Sequence, residues 1–194
     1  MKEPERQELA PFLEACLIQM QVSREWFAKR VLRLSLDQLR WRPGTGHWSM
    51  AECLDHLNLT LAYYLPKIEY AIDEHRAQRG DARECRAIRE SEAAFLREVE
   101  PPILSAWSTP AALLPVAAVN PDRIIDQFTE LRHRCGKTIL SASGLDLADI
   151  SIAGSMHPPI ESAGGAMALL AAHDRRHLWQ IERVCRMPGF PASP

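Results

Sequence analysis

The stretch that most limits how this chain can fold is residues 50–72, "MAECLDHLNLTLAYYLPKIEYAI". Met50, Leu54, Leu57, Leu61, Tyr64, Leu65, Ile68 and Ile72 recur at steps of three and four. Such spacing lays one apolar stripe along an α-helix and cannot line one face of a strand. Ser49 and Glu52 at its start have the spacing of a capping box, and the stripe fades near Gly80. Pro66 lies inside the run, where a kink or break is to be expected.

Three further segments repeat the pattern. Residues 5–33 carry Leu9, Phe12, Leu13, Cys16, Leu17, Met20, Phe27 and Val31 at helical spacing. Residues 121–142 carry Ile124, Ile125, Phe128, Leu131, Cys135 and Ile139 on one face. A last helix covers about 162–187, with Ser162 at its start and Pro188-Gly189 at its stop. A shorter helical piece falls within "ECRAIRESEAAFLREVE", and "ISIAGS" could be a short extended piece. No strand set is large enough for a sheet. The expected fold is all-α: a four-helix bundle in a single domain spanning 1–194.

Topology follows from the connections. Pro43, Gly44 and Gly46 mark a loop between the first two long helices. Between the second and third, residues 101–121 hold five prolines, which read as an extended connection. A long crossover lets helices two and three run parallel, so the expected order is up-down-down-up.

His173 and His177, in "AAHDRRHLWQ", lie about 40° apart on the last helix. They share their sector with Ala166, Leu169, Leu170, Gln180 and Val184, while Arg175, Glu182 and Arg183 lie toward the other side. Both imidazoles therefore point inward. A buried imidazole needs a hydrogen bond or a metal, and both readings fit. An i,i+4 pair on one face is also a common chelate geometry. His56 is the best third ligand. It lies roughly 12 Å along its helix from the start, and His177 roughly 15 Å from the end of its own, levels that coincide in this topology.

These residues carry a resemblance. "WRPGTGHWSMAECLDHL" together with "HDRRHLWQ" is similar to the DinB-like superfamily of damage-inducible proteins. The match rests on Trp41 and Pro43, Trp48-Ser49, His56-Leu57, and the H-x-x-x-H-x-x-Gln run at 173–180. The resemblance implies a four-helix bundle that binds a divalent metal through His56, His173 and His177; three imidazoles suit Zn, Ni, Fe or Cu. Some relatives are thiol-dependent transferases or isomerases that use low-molecular-weight thiols such as bacillithiol or mycothiol.

Other residues are weighed around that site. Gln180 could bond a metal-bound water or a substrate. Asp174, Asp55 and Glu52 are candidate acceptors for the ligand ring N–H groups, and also ordinary exposed helix carboxylates. Arg132, inside the third helix's apolar stripe roughly 16 Å from its start, could grip a substrate carboxylate. Cys53 makes a C-x-x-H spacing with His56 and could close the site as a fourth ligand. His47 falls in the loop beside the metal end. His75, His133 and His157 read as surface or loop residues, with His157 at the opposite end. Trp41, Trp48 and Trp179 read as core residues.

Composition excludes some classes. The 23 basic and 25 acidic side chains give a net charge of −2, which implies no general attraction to nucleic acid or anionic lipid. The N-terminus "MKEPERQELA" is too charged for a leader, and five scattered cysteines without a C-x-x-C pair suggest reduced thiols. A cytoplasmic protein acting on a small-molecule substrate, with no membrane or nucleic-acid partner, is expected; a homodimer remains open. Two functions compete: a metal-dependent thiol transferase or hydrolase, and a non-enzymatic metal-binding protein of the stress response.

Overall fold

Six α-helices make up the computed structural model, which describes residues 10–79, 86–103, 108–116 and 120–192. They are α1 (Pro11–Arg30), α2 (Leu36–Arg40), α3 (Met50–Arg79), α4 (Glu90–Val99), α5 (Pro121–Ser141) and α6 (Ala163–Val184). A 3-10 turn at Ala111–Leu113 interrupts the proline-bearing connection. Among the described residues there is no strand; Ser151 and Ser162 form one isolated antiparallel bridge. Nor is any described helix long and apolar enough to cross a membrane. Leu9, Cys85 and the start of the "ECRAIRE" run lie outside the described residues.

The four long helices sit where the stripes predict, and packing is that of a bundle. α3 packs against α5 and α6, α1 packs against the same two, and α4 lies on α6. Between α3 and α5, Asn58 bonds Ile124 O and Glu69 bonds Arg134 and Thr138, and just past the end of α5 Arg76 bonds Ser143 O. Between α1 and α6, Gln19 bonds Arg175 and Trp26 bonds Glu182.

The start of α3 is the expected capping box. Ser49 N–H donates to Glu52 Oε2 at 2.8 Å and Glu52 N–H to Ser49 Oγ at 3.2 Å. The helix does not break at Pro66, whose ring is exposed while Tyr64, Leu65 and Ile68 are fully buried beside it. Each buried Leu or Ile contributes about 1.5–3 kcal/mol, against about 3 kcal/mol for an interior proline, so packing carries the helix through. Short α2 falls in a stretch read from the sequence as loop. Its Ser35 and Gln38 form a second capping box, and Gln38 Nε2 reaches Pro191 O.

α6 starts at a carboxylate knot. The buried Glu92 carboxylate accepts from Arg89 N (2.9 Å), Glu161 N (2.9 Å), Ser162 N (2.8 Å) and Ser162 Oγ (2.7 Å). Ser162 Oγ in turn caps Gly165 N–H. A Cβ on Gly165 would run into the Glu92 carboxylate, and one on Gly164 into the Ala87 carbonyl oxygen. The glycine pair is what lets α4 come this close.

A polar layer crosses the bundle between two apolar clusters. One cluster includes Met20, Leu61, Cys135 and Ala172; the other includes Phe27, Leu57, Phe128 and Leu178. Between those levels the buried residues are Ser23 on α1, Asn58 and Thr60 on α3, Arg132 on α5, and His173, Asp174 and His177 on α6. His56 closes the layer on α3. A polar layer in a core must satisfy its own donors and acceptors, and its two halves do so differently.

Candidate metal centre

His56, His173 and His177 meet at one edge of this layer, all three buried. His173 Nε2 lies 3.0 Å from both His56 Nε2 and His177 Nε2. The three ligand nitrogens all fall within 4.8 Å of one another. Tetrahedral coordination at ~2.0–2.1 Å sets ligand nitrogens roughly 3.3 Å apart, so the cluster has the size a metal needs.

Proton accounting points the same way. His56 Nδ1 lies 2.7 Å from Leu113 O, and a carbonyl only accepts, so Nδ1 carries the hydrogen and Nε2 turns a lone pair inward. A single hydrogen on His173 Nε2 cannot point along both of its 3.0 Å contacts. The three neutral rings therefore do not satisfy one another, and a cation among them would. The rings are held neutral. Burial drives His173 and His177 well below the ordinary imidazole range, with neighbouring imidazoles and Arg176 adding to the shift. Burial also lowers His56, with the Leu113 carbonyl opposing. Neutral imidazole is the form that binds metal. His177 Nδ1 is buried with no hydrogen-bond partner among the described residues. The donor set fits a divalent ion of the Zn, Ni or Fe kind.

The triad opens onto a cavity of about 400 Å³. Gln180 and His47 line it, as does Trp48, whose ring centroid is 4.9 Å from that of His56 and 6.2 Å from that of His177. Arg176 lines it too, with Nη1 held near the last carbonyls of α4, Glu98 O and Val99 O.

Several expectations need correction. Arg132 does not face the cavity. Its Nε and Nη2 form a two-pronged pair with Asp174 (2.9 and 2.6 Å), and Nη1 donates to Phe128 O and Asn58 Oδ1. With side chains 0% and 1% exposed, this pair leaves Arg132 no reach to a substrate carboxylate. None of the three carboxylates bonds a ligand ring. Asp174 spends both oxygens on Arg132, Glu52 is taken by Ser49 N and Arg42, and Asp55 Oδ2 accepts from Val116 N. The acceptor that orients His56 is instead the Leu113 carbonyl, at the 3-10 turn of the crossover. Cys53 is buried but not among the clustered ligands, and burial pushes its thiol up to about 12. His157, expected at the far end, lines the same cavity as the triad. Trp48 packs on the ligand rings rather than only in the core.

Sequence reasoning missed Arg176 and His157 as cavity residues. Arg176 lies off the apolar stripe, and its place depends on α4. His157 sits in a Pro-rich turn, "MHPPI", with no periodicity to orient it.

No curated protein and no solved structure matches this chain. Residues 19–181 match the family model described as the DinB superfamily, and the chain therefore belongs to that superfamily.

Proposed function

We propose that the protein is a metal-dependent enzyme in which His56, His173 and His177 hold one divalent ion and a low-molecular-weight thiol is the co-substrate. The observation that carries this reading is that the triad opens onto a cavity large enough for a small molecule, with no fourth protein ligand clustered on it among the described residues. A purely structural site would be closed. When bound, the ion would lower the pKa of a thiol or water in the remaining position.

The chain's own residues do the rest. Leu113 O fixes the His56 tautomer, Trp48 covers two ligand rings, and Gln180 and Arg176 supply an amide and a positive charge to whatever fills the cavity. The bundle order that accompanies this reading is up-down-down-up. The rising pairs Asn58–Ile124, Glu69–Thr138 and Arg76–Ser143 support parallel α3 and α5, and Gln19–Arg175 with Trp26–Glu182 support parallel α1 and α6.

The test is to replace the native metal with Co(II) and add thiols to the fully metallated protein. A sulfur-to-metal charge-transfer band is expected, and His173→Ala should abolish both the band and turnover of an electrophilic substrate. With no spectral change on adding thiols, the thiol reading fails, and hydrolysis by an activated water or a non-enzymatic metal-binding role takes its place.

A further inference from the structure

His157 lies in the turn that leads into α6, outside the group of nitrogens that could hold a metal, yet on the wall of the same cavity. It is close enough for its charge to weigh on His56 and His173. Its ring stacks on Tyr64 (centroids 6.0 Å) and packs beside Phe95 (6.3 Å). Tyr64, two turns along α3 from His56, has no exposed surface, so its hydroxyl must be satisfied inside the protein.

The hydrogens around that hydroxyl can be counted. Tyr64 Oη accepts from Met156 N–H at 3.2 Å, and lies 3.1 Å from Ser155 Oγ and 2.9 Å from His157 Nδ1. The Ser155 hydroxyl hydrogen has two acceptors in reach, the His157 carbonyl at 3.3 Å and Tyr64 Oη at 3.1 Å. Given to the carbonyl, which cannot donate, it leaves the phenolic hydrogen of Tyr64 to fill the Tyr64–Ser155 contact, and the Tyr64–His157 contact then draws its hydrogen from Nδ1. This is the one assignment that supplies a hydrogen to all of these contacts, and it leaves a lone pair on His157 Nε2. That Nε2 makes no hydrogen bond with any described residue. His47, the other imidazole on the wall outside the triad, is exposed, and its one polar contact is Thr45 O at 3.3 Å.

We propose that His157 is the acid–base residue of the cavity, its Nε2 taking the S–H proton of the bound thiol. The S–H bond breaks and an Nε2–H bond forms, leaving thiolate and imidazolium. Nδ1–H stays on Tyr64 Oη throughout, and Tyr64 keeps its own proton. The thiolate sulfur then bonds to the electrophilic carbon, the bond from that carbon to the leaving atom breaks with its electron pair, and the imidazolium Nε2–H returns the proton to that atom. Tyr64 is a positioning residue that sets the tautomer. Burial supports the assignment by holding His157 below the ordinary imidazole range, neutral and ready to accept. The inference rests on the thiol reading above.

The experiment is long-range ¹H–¹⁵N NMR of the zinc-loaded full chain with labelled histidine, recorded with and without saturating cysteine. Without thiol, His157 is expected as the Nδ1–H tautomer; with cysteine it should become imidazolium. Tyr64→Phe removes the acceptor and should move the resting tautomer toward Nε2–H. His157→Gln should keep the wild-type zinc content. An Nε2–H tautomer in the wild type overturns the proposal. So does a neutral His157 when cysteine shifts the signals of His56, His173 and His177, and so does loss of zinc in His157→Gln. If cysteine shifts neither the triad nor His157, the thiol reading falls and this proposal with it.

Discussion

The two halves of the polar layer are built from neighbouring residues and solve opposite problems. Arg132 and Asp174 form a closed unit: guanidinium and carboxylate meet on two bonds, and Asn58 and Phe128 O take the remaining contacts. One residue away on α6, His173 enters a cluster in which nitrogens face nitrogens and His177 Nδ1 has no partner among the described residues. Satisfied polar groups in a core specify structure, whereas unsatisfied ones cost free energy unless something else binds them. The difference between the halves separates scaffold from site. Arg132 reads as functional from its inward position alone, and only its partner assigns it to the scaffold.

The comparison is broken most severely at the scaffold half. Asp174→Ala strands a buried guanidinium and should cost about 3–5 kcal/mol in urea unfolding. Replacing both partners, Arg132→Met with Asp174→Leu, should recover most of that loss. Next comes the second buried carboxylate. Burial works against the Glu92 charge, but donors from Glu161, Ser162 and Arg89 outweigh it and hold the carboxyl below its usual range. A depressed folded pKa gives stability that is full above the ordinary carboxylate range and is lost as pH falls through and below it. Glu92→Gln should therefore lose about 1–3 kcal/mol at neutral pH, and the gap to wild type should narrow as the pH drops through that range. Ser49→Ala, which removes the α3 cap, should cost about 1 kcal/mol. At the site half the stability effect should be smallest. His177→Ala should unfold near the wild type in a metal-free buffer while binding several-fold less metal. If His177→Ala instead proves as destabilising as Asp174→Ala, the two halves are not distinct.

Helices were legible because burial imposes a period. The stripes of α3, α5 and α6 predict their spans within a few residues, the stripe of α1 predicts its end, and Ser49, Glu52 and Ser162 mark starts that the hydrogen bonds bear out. The triad was legible for a related reason: His173 and His177 share a face, and depth along α3 selects His56. What depends on a partner from a distant loop or helix was not. Asp174 beside two ligands suggests a carboxylate that orients them, yet Arg132 arrives from α5 and claims it. The Leu113 carbonyl comes from a Pro-rich connection whose path no periodicity describes. His157 reaches the cavity because Tyr64 and the turn before α6 hold it there, a contact spanning 93 residues. Gly164-Gly165 was the one local clue to close approach at the start of α6, and it marks the Glu92 knot.

The central claim is that the histidine cluster is a metal site hung on a scaffold that does not depend on it. Elemental analysis of the full chain, purified without a metal-affinity tag, tests this most directly when paired with His177→Ala and followed by circular dichroism. About one divalent ion per chain is expected in the wild type, with several-fold less in the variant at unchanged helicity. A wild-type protein that holds no metal when divalent ions are supplied, or a variant that loses its helices along with the ion, would contradict the account.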